Sequence, residues 1–191
     1  MYKRQSQYHP HFLFNALNTI YFQVDENNKV AKQSIEQLSD LLRYQLYDIE
    51  KEVTMEQEIN YLRSYIAFQQ LRMSERLMLD LYFDPQLKEQ KIHPLLLQPL
   101  IENAFKHGVS NSQPSFIHID ISEYSDQRIV CTIENSYFPK NETDKSGSGI
   151  GLDNLRKRLE LLYPGRYLLN IEQTDDKYIS ALTVSYTHLR A

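Results

Sequence analysis

Asn103 and Lys106 stand three residues apart in the run Leu97-Gln98-Pro99-Leu100-Ile101-Glu102-Asn103-Ala104-Phe105-Lys106-His107-Gly108. On a helix that spacing makes their side chains neighbours. An amide oxygen is a hard donor suited to Mg²⁺, and a lysine ammonium neutralises phosphate charge. With the carboxylate of Glu102 beside them, they suit a magnesium-bound polyphosphate. The segment reads as an amphipathic helix, since Leu97, Leu100, Ile101 and Ala104 recur at helical spacing. Pro94 sits where a first-turn proline is tolerated, and Gly108 where a C-terminal glycine is expected. Taken alone, the same polar face reads equally well as a solvated surface.

Two other stretches carry chemistry. His11 and Asn15 lie one turn apart, on a different stripe from Leu13, Ala16, Leu17, Ile20 and Val24. An exposed imidazole near the start of a helix can be a nucleophile, its neutral ring nitrogen attacking phosphorus to give a phosphoramidate. Asn15 could hydrogen-bond that ring or orient a water. His9 competes for the role but precedes Pro10, at the approach to the helix. Far downstream, Gly147, Gly149 and Gly151 leave room for phosphates to approach backbone N–H groups. Ile150 and Leu152 lie between and after these glycines. The helix that follows, with Leu152, Leu155, Leu159 and Leu162 apolar, points its positive end at the same place. The glycine spacing is close to a dinucleotide-binding fingerprint, but it follows a polar loop rather than a strand.

In their order, the Pro10-to-Asn15 box, the Asn103 helix and the Gly147–Leu152 segment resemble the sensor histidine kinases of the LytS-like class. The resemblance runs from about residue 7 to about residue 184. It implies that His11 accepts the phosphate and that a GHKL-type ATPase domain follows, using ATP and Mg²⁺. It further implies a homodimer and transfer of the phosphate to an aspartate on a response regulator, often a LytTR-type DNA-binding protein. An upstream membrane-embedded sensor would tether this cytoplasmic portion to the bacterial inner membrane. Where many GHKL ATPases carry a D-x-G-x-G box that recognises adenine, this chain has Ile133-Glu134-Asn135-Ser136-Tyr137. Either Glu134 or Asn135 offers an acceptor oxygen for the adenine amino group. The expected binding set is therefore Asn103, as metal ligand, with Lys106, His107, Glu134 or Asn135, Gly147, Gly149, Ile150, Gly151 and Leu152. His11, Asn15 and Glu102 would do the chemistry, with Glu102 or His107 near the metal or the imidazole. A GHKL ATPase without phosphotransfer, and a non-catalytic dimerisation and docking module, are the alternatives.

The elements that must position these residues are legible. After the first helix, Asp25-Glu26-Asn27-Asn28 is a turn, and Ile35, Leu38, Leu41, Leu42 and Leu46 mark a second helix. Two short helices bury little alone, so pairing with a second copy into a four-helix bundle is a physical expectation too. Thr54 to Gln57 reads as a capping box opening a third helix. Arg72 and Arg76 near its end read as solvated charge rather than phosphate contacts. Leu77–Phe83, Phe116–Ser122, Ile129–Asn135, Tyr167–Glu172 and Tyr178–Val184 alternate as strands, and residues 137–148 form a mobile lid-like loop. The expected fold is α+β: a helical hairpin over residues 6–74 for dimerisation and phosphotransfer, then a two-layer α/β sandwich over residues 75–185 for catalysis.

Bulk properties agree. Of 191 residues 41% are hydrophobic, enough for a core, and a net charge of -4 gives no hint of a nucleic-acid partner. One cysteine, Cys131, excludes an internal disulfide, and its strand setting makes it a buried apolar residue. No apolar run is long enough to span a bilayer. Residues 1–5 and 185–191 do not continue the neighbouring patterns and are expected to be non-native.

Overall fold

The computed structural model describes residues 10–47, 52–73, 75–110, 112–124, 127–139 and 150–186; for residues 10–12, 47 and 150 it describes the backbone alone. Helices α1 (Pro10–Gln23) and α2 (Lys29–Tyr47) form a hairpin. Its antiparallel pairing shows in the Tyr21 hydroxyl donating to Glu36 at 2.9 Å and in Arg43 over the Phe14 ring. The turn is built as its residues suggest. Asp25 Oδ1 accepts from Asn27 N, and Asn28 Oδ1 caps α2 by accepting from Ala31 N.

A two-residue strand, β1 (Val53–Thr54), leads into α3 (Met55–Gln70). The capping box is complete: Gln57 N donates to Thr54 Oγ1, and Thr54 N donates to Gln57 Oε1. Strands β2 (Leu77–Phe83) and β3 (Lys91–Ile92) precede α4 (Gln98–His107). The short β3 pairs with β1, a ladder too small to leave an alternating pattern. Then come β4 (Ser115–Tyr124), β5 (Arg128–Ser136), α5 (Ile150–Leu162), β6 (Tyr167–Gln173) and β7 (Lys177–Ser185). The main sheet has five strands in the order β2-β4-β5-β7-β6, with β2 parallel to β4 and the other pairs antiparallel. Inward-facing Ile117, Ile119, Ile121, Ile129, Cys131, Ile133, Leu182 and Val184 are buried beneath the helices. This is the expected α+β two-layer sandwich. The Cys131 thiol is buried, and that burial pushes its pKa up to about 12.

Three details depart from the sequence reading. The helix layer holds α3 as well as α4 and α5: Met55, Ile59, Leu62 and Ile66 share one core with the sheet residues. The first-turn proline of α4 is Pro99, not Pro94; the helix opens only at Gln98, and the Pro94 carbonyl accepts from Arg158 Nη2 at 2.6 Å. And the chain does not leave its pattern at Ser185. Ser185 pairs with Arg128 and its N–H donates to Arg166 O, while the Tyr186 hydroxyl bonds Glu123. Ladder bonds use only the backbone, so a side-chain change does not end a strand. After Tyr163-Pro164, Gly165 takes φ +67°, the left-handed angle that lets the chain turn from α5 into β6.

Candidate functional site

Pro99 at the first turn and Gly108 at the end bound α4. Its apolar stripe is sealed against the sheet, with Leu100, Ile101, Ala104 and Phe105 buried. That burial fixes the helix rotation and turns the polar side outward. There Glu102, Asn103, Lys106 and His107 line a cavity of about 170 Å³, closed on its far side by Gly151 and Leu152 at the start of α5. The structure thus brings together five of the residues expected to bind. Gly147 and Gly149 lie outside the described residues, as does the side chain of Ile150.

Gly108 is glycine for want of room rather than for its backbone angle. Its φ is -96°, yet a Cβ there would meet Asn135 Nδ2 at 2.6 Å and the Ala104 carbonyl oxygen at 2.7 Å. Asn135 is 2% exposed at the end of β5. Its Nδ2 donates to Ser136 O at 2.8 Å, while its Oδ1 is buried without a partner. A buried acceptor left unpaired costs roughly 1–3 kcal/mol, so it marks a place where a donor belongs. Glu134, one residue earlier, projects to the opposite face of the sheet, where Lys177 Nζ holds its carboxylate at 2.6 Å. Strand alternation separates the two adenine candidates, and the structure places only Asn135 beside α4.

Sequence reasoning missed Tyr178. It lies on β7 directly opposite Asn135 of β5, and its phenol hydrogen-bonds to Asn103. Burial raises the Tyr178 pKa, against the opposing pulls of Arg156 and of the Asn103 bond. No short-range pattern links residues 103, 135 and 178; only sheet register does. Glu58 was missed as well. It is fully buried in α3, and its Oε2 accepts from the Tyr44 hydroxyl at 2.7 Å and from Leu95 N at 3.0 Å. Beside it, Gln45 donates to the Tyr61 hydroxyl, which donates to Gln98 Oε1. These bonds tie α2, α3 and the start of α4 into one network. Asn15 lies on α1 and is not part of the cavity lining, and the side chain of His11 lies outside the described residues.

Residues 1–77 match the family model described as "Histidine kinase". Sensor protein kinase HptS of Staphylococcus aureus is 38% identical over 104 residues, which is 54% of this chain and 20% of that protein. The chain spans about a fifth of the length of the curated relatives it matches. Among solved structures, the histidine kinase domain of the Erythrobacter litoralis EL346 blue-light-activated histidine kinase superposes with a TM-score of 0.56 at 16% identity. It covers 92% of this chain and 96% of that one. The catalytic domain of histidine kinase ThkA gives 0.54 at 16% identity, over 72% and 95%. Acinetobacter baumannii AdeS gives 0.52 at 13% identity, over 94% and 96%. The fold is that of the histidine kinase domains in these solved structures.

Proposed function

We propose that this chain is the phosphotransfer and catalytic part of a LytS-like sensor histidine kinase that moves the γ-phosphoryl group of Mg-ATP to His11. The observation that carries the reading is the cavity where Asn103, Lys106 and His107 of α4 face Gly151 and Leu152 of α5. Its donor set suits a magnesium nucleotide: a neutral amide oxygen, an ammonium and a carboxylate. The orphaned Oδ1 of Asn135 suits the adenine amino group. Asn103 would hold Mg²⁺, which supplies neutralisation of the phosphate oxygens when bound. Lys106 adds a fixed positive charge, and the α5 N-terminus with the glycines before it adds backbone donors. A neutral nitrogen of His11 forms the new N–P bond as the bond from phosphorus to the β,γ-bridging oxygen breaks. ADP departs with that electron pair, and the proton of the other ring nitrogen passes to a base, a part that Glu102 or His107 would take. Asn15, one turn from His11 on α1, orients the ring. The hairpin within residues 6–74 dimerises, residues 75–185 bind nucleotide, and the phosphate passes to a response regulator aspartate. A LytTR-type regulator and an inner-membrane sensor upstream complete the reading.

The test is transfer of label from γ-labelled Mg-ATP to the purified chain and to its His11→Gln variant. Acid-labile label in the first and none in the second is the expected result. Equal label in both sinks the assignment of His11. Steady phosphate release without labelled protein would favour an ATP-hydrolysing machine. No rise in melting temperature with Mg-ATP would favour a docking module, since binding to the native state must stabilise it.

A further inference from the structure

Glu102 and Lys106 form a ridge on α4 with a cavity on either side. On one side is the nucleotide cavity; on the other, the same two residues line a cleft of about 360 Å³ with Tyr65, Gln69, Arg72 and Phe105. The cleft opens between the last turns of α3 and the outer face of α4. The Arg72 guanidinium is held in place there. Its Nη2 donates to Gln69 Oε1 at 2.6 Å, and Gln69 Nε2 donates to the Tyr65 hydroxyl at 2.7 Å. The guanidinium also lies over the Phe68 ring, 5.7 Å from its centre. Tyr65 feels both the carboxylate of Glu102, which raises its pKa after burial does, and the charge of Arg72, which lowers it. Arg72, Tyr65 and Glu102 thus share one electrostatic neighbourhood. Arg76, the other arginine nearby, is committed elsewhere: its Nη1 donates to Ser112 O at 3.0 Å.

We propose that Arg72 is a further catalytic residue: it grips the terminal phosphate of the bound nucleotide from the α3 side, across the ridge from Asn103. This rests on the nucleotide reading above and adds a residue to it. The chemistry favours the assignment. A terminal phosphate reaching past Lys106 presents three equatorial oxygens, and the charge on them must be met as the phosphoryl group transfers. A guanidinium offers a planar fork matched to two such oxygens, whereas Lys106 acts as a point charge. The contacts with Gln69 and Phe68 reduce the side-chain freedom that the exposed Arg72 loses on binding. Glu102, a carboxylate lining the cleft, meets the positive charge that develops on the imidazole as the N–P bond forms, while leaving two cations for the phosphate.

The consequence is selectivity between di- and triphosphate. The experiment measures calorimetric affinities of the whole chain for Mg-ADP and for the magnesium complex of a β,γ-imido ATP analogue, in the wild type, Arg72→Met and Gln69→Leu. A charged hydrogen bond of the ordinary strength predicts that Arg72→Met loses about ten-fold or more in affinity for the triphosphate. Its ADP affinity should stay within about two-fold, and that also certifies that the variant is folded. Gln69→Leu, which frees the guanidinium without removing it, should give a smaller loss with the same selectivity. Equal losses for both nucleotides, or none for either, would overturn the role of Arg72 while leaving the nucleotide site standing. A wild type that binds neither nucleotide would overturn both.

Discussion

Gly108 and Asn103 make two kinds of demand on single atoms. At Gly108 the demand is for empty space, because Asn135 and the Ala104 carbonyl occupy the volume a Cβ needs. Gly108→Ala should therefore cost about 1–3 kcal/mol, the range for overpacking a tight site, read by denaturant unfolding. Because Asn135 must shift to admit the methyl, the rise in melting temperature on adding Mg-ATP should shrink as well. An unchanged midpoint would mean that the α4 terminus yields more easily than its contacts imply. At Asn103 the demand is for one neutral oxygen. Asn103→Asp keeps the size, so the fold should persist, but it adds a charge beside Glu102 and alters the bond to Tyr178. Labelling should fall while the melting temperature stays within a few degrees; full labelling would refute the metal assignment.

At the scale of elements, α3 is more than a connector. Its capping box fixes where it begins, and Glu58 fixes what it touches: Tyr44 of α2 on one side and the Leu95 N–H before α4 on the other. Burial raises the Glu58 pKa, and the bonds from Tyr44, Leu95 and Leu97, with the charge of Arg158, only partly offset this. The sign follows from linkage. The folded state holds the proton more tightly than the unfolded chain, whose carboxyl titrates near 4.5. The stability Glu58 contributes is therefore complete below about that pH and is lost as pH rises through its raised folded value. Glu58→Gln keeps an acceptor for Tyr44 and Leu95 but cannot ionise. Its melting temperature should change less than that of the wild type between mildly acidic and neutral pH. Parallel pH profiles for the two proteins would show that Glu58 does not titrate in this window.

For the whole molecule, the helical hairpin leaves apolar side chains uncovered. Ile20 belongs to the apolar stripe of α1 but remains 48% exposed, and Phe22 is 82% exposed. Hairpin and sandwich are joined through the Tyr44–Glu58 and Gln45–Tyr61–Gln98 bonds, so a second copy would add to the hairpin without disturbing the sheet. If two hairpins form a four-helix bundle, Ile20→Glu should shift the sedimentation coefficient toward that of a single chain. The melting temperature of the sandwich should survive this change. A wild type that sediments as a monomer at every concentration would remove the bundle from the reading.

By itself the sequence determined the main elements and most of the α4 residues that line the cavity. Period 3.6 and period 2 are local, so the stripe of α4, the capping box of α3 and the strands β2, β4, β5, β6 and β7 could be read from neighbouring residues. Asn103, Lys106 and His107 were found because one helix carries them all. Only tertiary structure could show that Asn135 and not Glu134 faces α4, because which face of β5 meets α4 depends on where the sheet packs. It alone placed Tyr178 against Asn103, through the register of β5 and β7. It also set the exposed Arg72 at the edge of a cleft, since the cleft exists only once α3 lies beside α4. Spacing along the chain encodes what a single element presents; what two elements make between them is settled by packing.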